Sequence, residues 1–228
     1  MEKLAGGFTL QIYDGCFPLS TDSMVLADFV KLPKQARVLD LGAGCGTLGL
    51  LLCAGRQDCC VTGLELDETA HRGALENIAR NGLRDRLENI HGDLRQIREL
   101  IPGGRFDCCV SNPPYFSGGP AAKLAEARRT DSCSMQALLE AAAWSLKFGG
   151  DFFVVHRPES LGQLFGCACA LSLEPKRLCL VRHRSLDPAT LVLVQCRKGA
   201  KPGLKWEELC LFGENGEPSE AYKRIYHR

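Results

Sequence analysis

At 228 residues, with 45% hydrophobic and 24% charged side chains, the chain is long for one domain and short for two, a size α/β folds commonly reach. No apolar run reaches membrane-spanning length, and the N-terminus, Met1-Glu2-Lys3-Leu4-Ala5-Gly6-Gly7, carries no signal-peptide pattern, which argues against a membrane protein and predicts a cytoplasmic one. The formal net charge of +1 selects no partner, although 12 basic and 15 acidic side chains in residues 1–110 give way to 16 and 12 in residues 111–228, a hint of a polyanionic partner for the second half.

The thirteen cysteines form adjacent pairs (Cys59-Cys60, Cys108-Cys109) and one C-x-C (Cys167, Cys169), with no C-x-x-C. Most fall inside apolar strand or helix patterns, where a reduced thiol behaves as a small buried hydrophobe. The five histidines are scattered without metal-ligand spacing, so no metal is predicted.

Residues 1–36 read as a lead-in, in which Phe17 to Ser23 is a loop and Ser20 or Thr21 caps an apolar helix from Met24 to Val30. A hydrophobic strand from Arg37 then runs through Asp40 into Gly42-Ala43-Gly44-Cys45-Gly46 and a helix from Leu48 to Ala54. Glycines allow a tight turn and close approach to a ligand, and the helix N-terminus favours electron-rich groups. The second strand, Cys60 to Leu64, ends in Glu65, 19 residues beyond Gly46, where a carboxylate can accept both hydroxyls of a ribose. Asp67 caps a helix through Ile78, with Ala70, Ala74, Leu75 and Ile78 placed on one face and Asn81-Gly82 as its stop. A short third strand, Leu87 to Ile90, leads to Asp93, placed to accept a bond from an adenine amine. A helical stretch near Leu94 to Leu100 precedes the fourth strand, Phe106 to Val110.

At that strand's carboxyl end, where open α/β sheets bind ligands, stands Ser111-Asn112-Pro113-Pro114-Tyr115-Phe116. Two prolines remove two backbone donors and leave carbonyls pointing outward, Asn112 adds an acceptor, and Tyr115 adds an aromatic face. Two acceptors beside a stacking ring suit a planar molecule carrying an –NH2 group; a proline-rich turn that only ends a strand fits the tetrapeptide alone equally well. Residues 117–133 form a long loop with Lys123 and Arg128-Arg129, able to reach a phosphate backbone. An amphipathic helix from Ser134 to Leu146 follows, then a fifth strand, Asp151 to Val155, and a helix from Pro158 to Leu171. Strands Arg177 to Val181 and Leu191 to Cys196 are joined by too few residues for a parallel crossover, so they pair antiparallel. Tyr222 and Tyr226 pack a last helix.

Five strands with intervening helices and then an antiparallel pair make a doubly wound, Rossmann-like, seven-stranded and mostly parallel sheet, with one antiparallel strand near its edge. Together Val38-Leu39-Asp40-Leu41-Gly42-Ala43-Gly44-Cys45-Gly46, Glu65, Asp93 and Asn112-Pro113-Pro114-Tyr115 resemble a class I S-adenosylmethionine-dependent methyltransferase acting on an exocyclic amine. The lead-in Ser20-Thr21-Asp22, the motif's end at Tyr115-Phe116, Arg128-Arg129-Thr130-Asp131 and Ser219-Glu220-Ala221-Tyr222 extend the resemblance to the tRNA1(Val) (adenine(37)-N6)-methyltransferase family. The resemblance implies that Asp40, Gly42, Gly44 and Gly46 line the methionine portion of S-adenosylmethionine, Glu65 its ribose and Asp93 its adenine amine, with Thr21, Asp22, Leu66, Leu94 and Asn112 also at the cofactor. It implies catalysis by Asn112, Pro113, Pro114 and Tyr115, and tRNA contacts from Phe116, Lys123, Arg128 and Arg129. Residues 1–36 then pack on the cofactor site and residues 37–228 form one methyltransferase domain, acting as a monomer or weak homodimer.

If Asn112 Oδ1 and the Pro113 carbonyl accept from an adenine –NH2, the nitrogen becomes more electron-rich, is held in place, and its developing positive charge is stabilised. Other acceptors stay open. The same tetrapeptide serves release-factor glutamine methyltransferases, although those carry a substantial helical domain before the glycine motif and about 37 residues precede it here. Ribosomal RNA guanine N2-methyltransferases also fit. From another class, a nicotinamide-dependent oxidoreductase matches Gly44-Cys45-Gly46-Thr47-Leu48-Gly49 but leaves Asn112 to Tyr115 without a purpose, and a catalytically dead RNA-binding scaffold leaves both the cofactor and acceptor residues so.

Overall fold

A computed structural model describes residues 1–13, 16–114 and 135–226. In chain order the elements are β1 (Glu2–Lys3), β2 (Thr9–Leu10), α1 (Thr21–Phe29), β3 (Arg37–Leu41), α2 (Thr47–Gly55), β4 (Cys60–Glu65), α3 (Glu68–Arg80), β5 (Leu87–His91) and α4 (Ile97–Leu100). There follow β6 (Phe106–Ser111), α5 (Met135–Ser145), β7 (Leu146–His156), α6 (Leu161–Ala170), β8 (Leu173–Arg182), β9 (Leu191–Lys198), β10 (Lys205–Cys210) and α7 (Glu220–Tyr226). None of the described helices is long and apolar enough to cross a membrane.

The main sheet runs β10-β8-β9-β7-β6-β3-β4-β5, and only β9 opposes its neighbours. From β3 the chain winds outward through β4 and β5, then returns to lay β6 on the other flank of β3. The carboxyl ends of β3 and β6 therefore meet at the point where the winding reverses, the crevice where doubly wound sheets hold ligands. Buried side chains form a separate apolar cluster on each face of the sheet.

Among the described residues this sheet has eight strands, one more than the seven expected. The added strand is β10, Lys205-Trp206-Glu207-Glu208-Leu209-Cys210, which joins the edge parallel to β8. An edge strand that is half exposed needs no apolar run, so its charges concealed it. Arg177 on β8 fixes Glu207 there through two hydrogen bonds of 2.7 and 2.9 Å. Strand β7 also starts earlier than expected, at Leu146, because Gly149 at φ 80° lets the chain enter the sheet through a register shift opposite Phe106 and Cys108.

Helix α3 begins at the Asp67 cap, whose carboxylate accepts from the Ala70 N–H at 2.8 Å. Its inner face is Ala70, Gly73, Ala74, Asn77 and Ile78; Leu75, expected on that face, is 44% exposed, since five positions after Ala70 a helix has turned away. Most described thiols outside loops are buried, and burial pushes Cys108 up to about 12.

The lead-in is held by α3. Strands β1 and β2 form a two-stranded pair, and Asn81 and Asn77 continue it as a strand edge would. Asn81 Oδ1 accepts from Thr9 N–H and its Nδ2 donates to Thr9 O, both at 2.8 Å. Asn77, wholly buried, accepts from Gln11 N–H at 2.9 Å and donates to Gln11 O at 2.9 Å and to Cys45 O at 3.0 Å. One carboxamide thus ties the lead-in to the glycine turn.

Candidate active site

Two contiguous cavities, of about 210 and 400 Å³, open at the carboxyl ends of β3 to β6 and share Phe17, Gly42, Gly44, Asn112 and Pro114 in their walls. Volumes of this order suit a small-molecule site.

The floor of the smaller cavity is Asp40. It is 1% exposed, and among the described residues neither carboxylate oxygen has a partner in hydrogen-bond geometry, although the Gly49 N–H near the start of α2 offsets part of the cost of burial. Burial, and secondarily the charge of Glu65, raise its pKa from 3.8 to about 7. A buried carboxyl with both oxygens unspent calls for a donor, best a cationic one. The turn above it has Gly42, Gly44 and Gly46 at φ 75°, 56° and 86°, a left-handed succession that side chains rarely tolerate.

Glu65 ends β4 and braces that turn. Its Oε2 accepts from Gly44 N–H at 2.7 Å and its Oε1 from Asp67 N–H at 2.8 Å, which places the carboxylate on the wall of the larger cavity. Leu66 beside it is 45% exposed, an apolar surface suited to a ring, and His91 Nε2 holds its carbonyl at 2.9 Å. At the far end Asp93 accepts from the Arg95 N–H and from Arg95 Nε, each at 2.8 Å, and the guanidinium holds its carboxyl below the usual range. Asp93 and Leu94 line the larger cavity together.

On the opposite wall, Ser111 at the end of β6 donates from Oγ to Leu41 O at 2.7 Å and locks β6 to β3. Asn112 follows. Its Nδ2 donates to Ser23 Oγ at 3.0 Å, and it borders both cavities with Pro114, while Pro113 borders the smaller. Ser23 is buried in the first turn of α1, which Ser20 caps by accepting from the Ser23 N–H. Asp22 from the same turn faces the smaller cavity.

Of the residues expected at the cofactor, Asp22, Asp40, Gly42, Gly44, Glu65, Leu66, Asp93, Leu94 and Asn112 therefore line one continuous space. Thr21 and Gly46 do not line it: Thr21 opens α1, and Gly46 caps α2. Tyr115, Phe116, Lys123, Arg128 and Arg129 lie outside the described residues. Three participants went unmarked in the sequence: Ser23, Asn77, and Phe17, which is 63% exposed at the mouth of both cavities. The exposed Phe17-Pro18 was the one available signal; the contact of Ser23 with Asn112 spans 89 positions and leaves none.

The described residues contain no group of three or more His, Cys, Asp or Glu side chains placed to hold a metal ion. The groups present suit S-adenosylmethionine: the Asp40 carboxylate for a cationic amino acid end, the Glu65 carboxylate at the end of the neighbouring strand for a ribose, and Asp93 beside the apolar Leu94 for the adenine.

The methyltransferase small domain family matches residues 19–164. The tRNA1(Val) (adenine(37)-N6)-methyltransferase of Shewanella sp. (strain MR-4) is 30% identical over 207 residues, 89% of this chain and 87% of its own. A predicted O-methyltransferase of Agrobacterium tumefaciens superposes with a TM-score of 0.76 at 20% identity, over 91% of this chain and 96% of its own. The 16S rRNA N2 methyltransferase of T. thermophilus, in complex with AdoMet and guanosine, superposes with a TM-score of 0.57 at 26% identity, over 81% of this chain and 45% of its own.

Proposed function

This chain belongs to the methyltransferase small domain family and, within it, to the tRNA1(Val) (adenine(37)-N6)-methyltransferases, and from that premise we propose that it methylates N6 of adenosine 37, beside the anticodon of a valine tRNA. When bound, S-adenosylmethionine supplies an electrophilic methyl group on a sulfonium.

The chain's own residues do the rest. Asp40 takes the cationic amino group, Glu65 the ribose hydroxyls, and Asp93 the adenine amine, with Leu66 and Leu94 against the ring. Asn112 Oδ1 and the Pro113 carbonyl accept the two N6 hydrogens of the target base, raising electron density on a nitrogen whose lone pair is otherwise delocalised. The same acceptors stabilise positive charge growing on that nitrogen, and holding it in place removes much of the remaining barrier. Pro114 stiffens the acceptor turn, and Tyr115 stacks on the base, worth about 1–3 kcal/mol at single-stranded sites. An anticodon-loop base reaches this pocket without the cost of unpairing a duplex. Phe116, Lys123, Arg128 and Arg129 supply the tRNA contacts, residues 1–36 wall the cofactor side of the domain formed by 37–228, and the reaction runs in the cytoplasm.

One observation carries the reading: Asn112, just past the end of β6, and Asp40 of the neighbouring β3, whose carboxylate oxygens have no hydrogen-bond partner among the described residues, line the same cavity. A second reading, transfer to a guanine N2 of ribosomal RNA, draws on the likeness to the T. thermophilus enzyme. Incubation with labelled S-adenosylmethionine and, separately, bulk tRNA and ribosomal RNA decides between them. Label in N6-methyladenosine of tRNA is expected; label in N2-methylguanosine of ribosomal RNA would replace the reading.

A further inference from the structure

We infer that His91 is a positioning residue for the cofactor's ribose, its imidazole holding one peptide unit that in turn aims the Glu65 carboxylate; this rests on the reading of Glu65 as the acceptor of the ribose hydroxyls. The peptide is the one joining Leu66 to Asp67, and it is gripped at both ends. Its carbonyl oxygen, Leu66 O, lies 2.9 Å from His91 Nε2, and its N–H, that of Asp67, donates to Glu65 Oε1 at 2.8 Å. Chemistry fixes the polarity of both contacts. A carbonyl oxygen only accepts, so His91 Nε2 carries a proton and donates; a peptide N–H only donates, so the carboxylate oxygen accepts. A peptide unit is planar and turns as one body. A rotation that released Leu66 O from His91 would therefore swing the Asp67 N–H away from Glu65 as well.

His91 is held in its turn. It closes β5, and just beyond it the Gly92 N–H donates to Glu65 O at 2.9 Å, which keeps the ends of β5 and β4 together. Its ring stacks on His71 of α3, with centres 5.4 Å apart and planes 25° from parallel, and His71 Nδ1 lies 2.6 Å from Asn89 Oδ1 of β5. At the other end of the chain of contacts, Glu65 Oε2 accepts from Gly44 N–H at 2.7 Å. Each carboxylate oxygen spends one lone pair on a backbone N–H and keeps another for a hydroxyl, which suits two neighbouring ribose hydroxyls. Without His91 the Gly44 bond still anchors Oε2, and Oε1 alone loses its support. His91, Leu66 and Glu65 all border the larger cavity, so a direct contact of the imidazole with adenosine has to be told apart from this positioning.

The test compares the wild type with His91→Ala and His91→Phe, which lack the donor, and with His91→Gln, whose amide nitrogen takes the place of Nε2. Calorimetry measures the Kd of S-adenosylhomocysteine and of its 2′,3′-dideoxy analogue for each protein. His91 is exposed, so these changes leave the core intact. The two variants without a donor are expected to bind S-adenosylhomocysteine about 5- to 10-fold more weakly, the worth of one hydrogen bond to a charged group's support. The dideoxy analogue has no hydroxyls to lose and should weaken under about threefold, and His91→Gln should recover most of the parent's affinity. Equal weakening of both ligands, as a direct adenine contact or general damage would give, or no recovery in His91→Gln, would overturn the positioning role. A wild-type protein that binds the two ligands equally would remove the reading of Glu65 and this inference with it. Wild-type preference for the parent ligand that survives undiminished in His91→Ala removes the inference alone.

Discussion

Asp40 shows what a single buried group can be made to do. Its pKa is raised in the fold, from 3.8 to about 7, so the folded chain holds this proton more tightly than the unfolded one. The stability it contributes is full below pH 4 and is lost as pH rises toward 7, the opposite of a salt-bridged carboxylate. A cationic ligand favours the charged form, so S-adenosylmethionine affinity should climb up to tenfold per pH unit below 7 and level off above it. Asp40→Asn should flatten that profile and weaken binding about tenfold or more at pH 8. The same substitution should raise the unliganded protein's Tm at pH 8, because an uncompensated buried charge is gone. Calorimetric titration from pH 5 to 9 checks the first pair, and thermal melts check the last. With Asn112 proposed as the acceptor for the substrate amine, Asn112→Ala should abolish most turnover while cofactor affinity stays within a few-fold, read by single-turnover assay and equilibrium binding.

At the scale of elements, α3 acts as a brace between the lead-in and the cofactor turn. Asn77→Ala leaves Gln11 N–H, Gln11 O and Cys45 O without their partner. The expected cost is about 2–3 kcal/mol in urea unfolding. It should come with faster amide exchange in residues 9–13 and weaker cofactor binding, and retained protection there would contradict the brace. The helix itself was legible from the Asp67 cap and its small inner residues, and β3, β4, β5 and β6 from apolar runs ending in glycine, Glu65, Asp93 and Asn112. What the sequence concealed has a common physical origin. Strand β10 carries charge because an edge needs little burial, and Asn77 and Asn81 look like polar helix-end residues until the lead-in is seen to use them as a strand edge. The Ser23–Asn112 contact joins residues whose local chemistry, a helix cap and a strand end, was already accounted for.

On the scale of the whole molecule, the nearly neutral chain must grip a polyanion through a restricted set of charges. Arg128 and Arg129 are the pair the account assigns to the phosphate backbone. Replacing both with alanine should weaken tRNA binding and lower the slope of log affinity against log salt by about one to two, and an unchanged slope would assign the contact elsewhere. The central claim is the identity of the acceptor atom. It is tested most directly by methylating an unmodified valine tRNA transcript, digesting it with a sequence-specific nuclease and locating the added mass. A single methyl on N6 of adenosine 37, absent with Asn112→Ala, is the predicted result. A methyl at another position, or equal modification by the Asn112→Ala variant, would contradict the account.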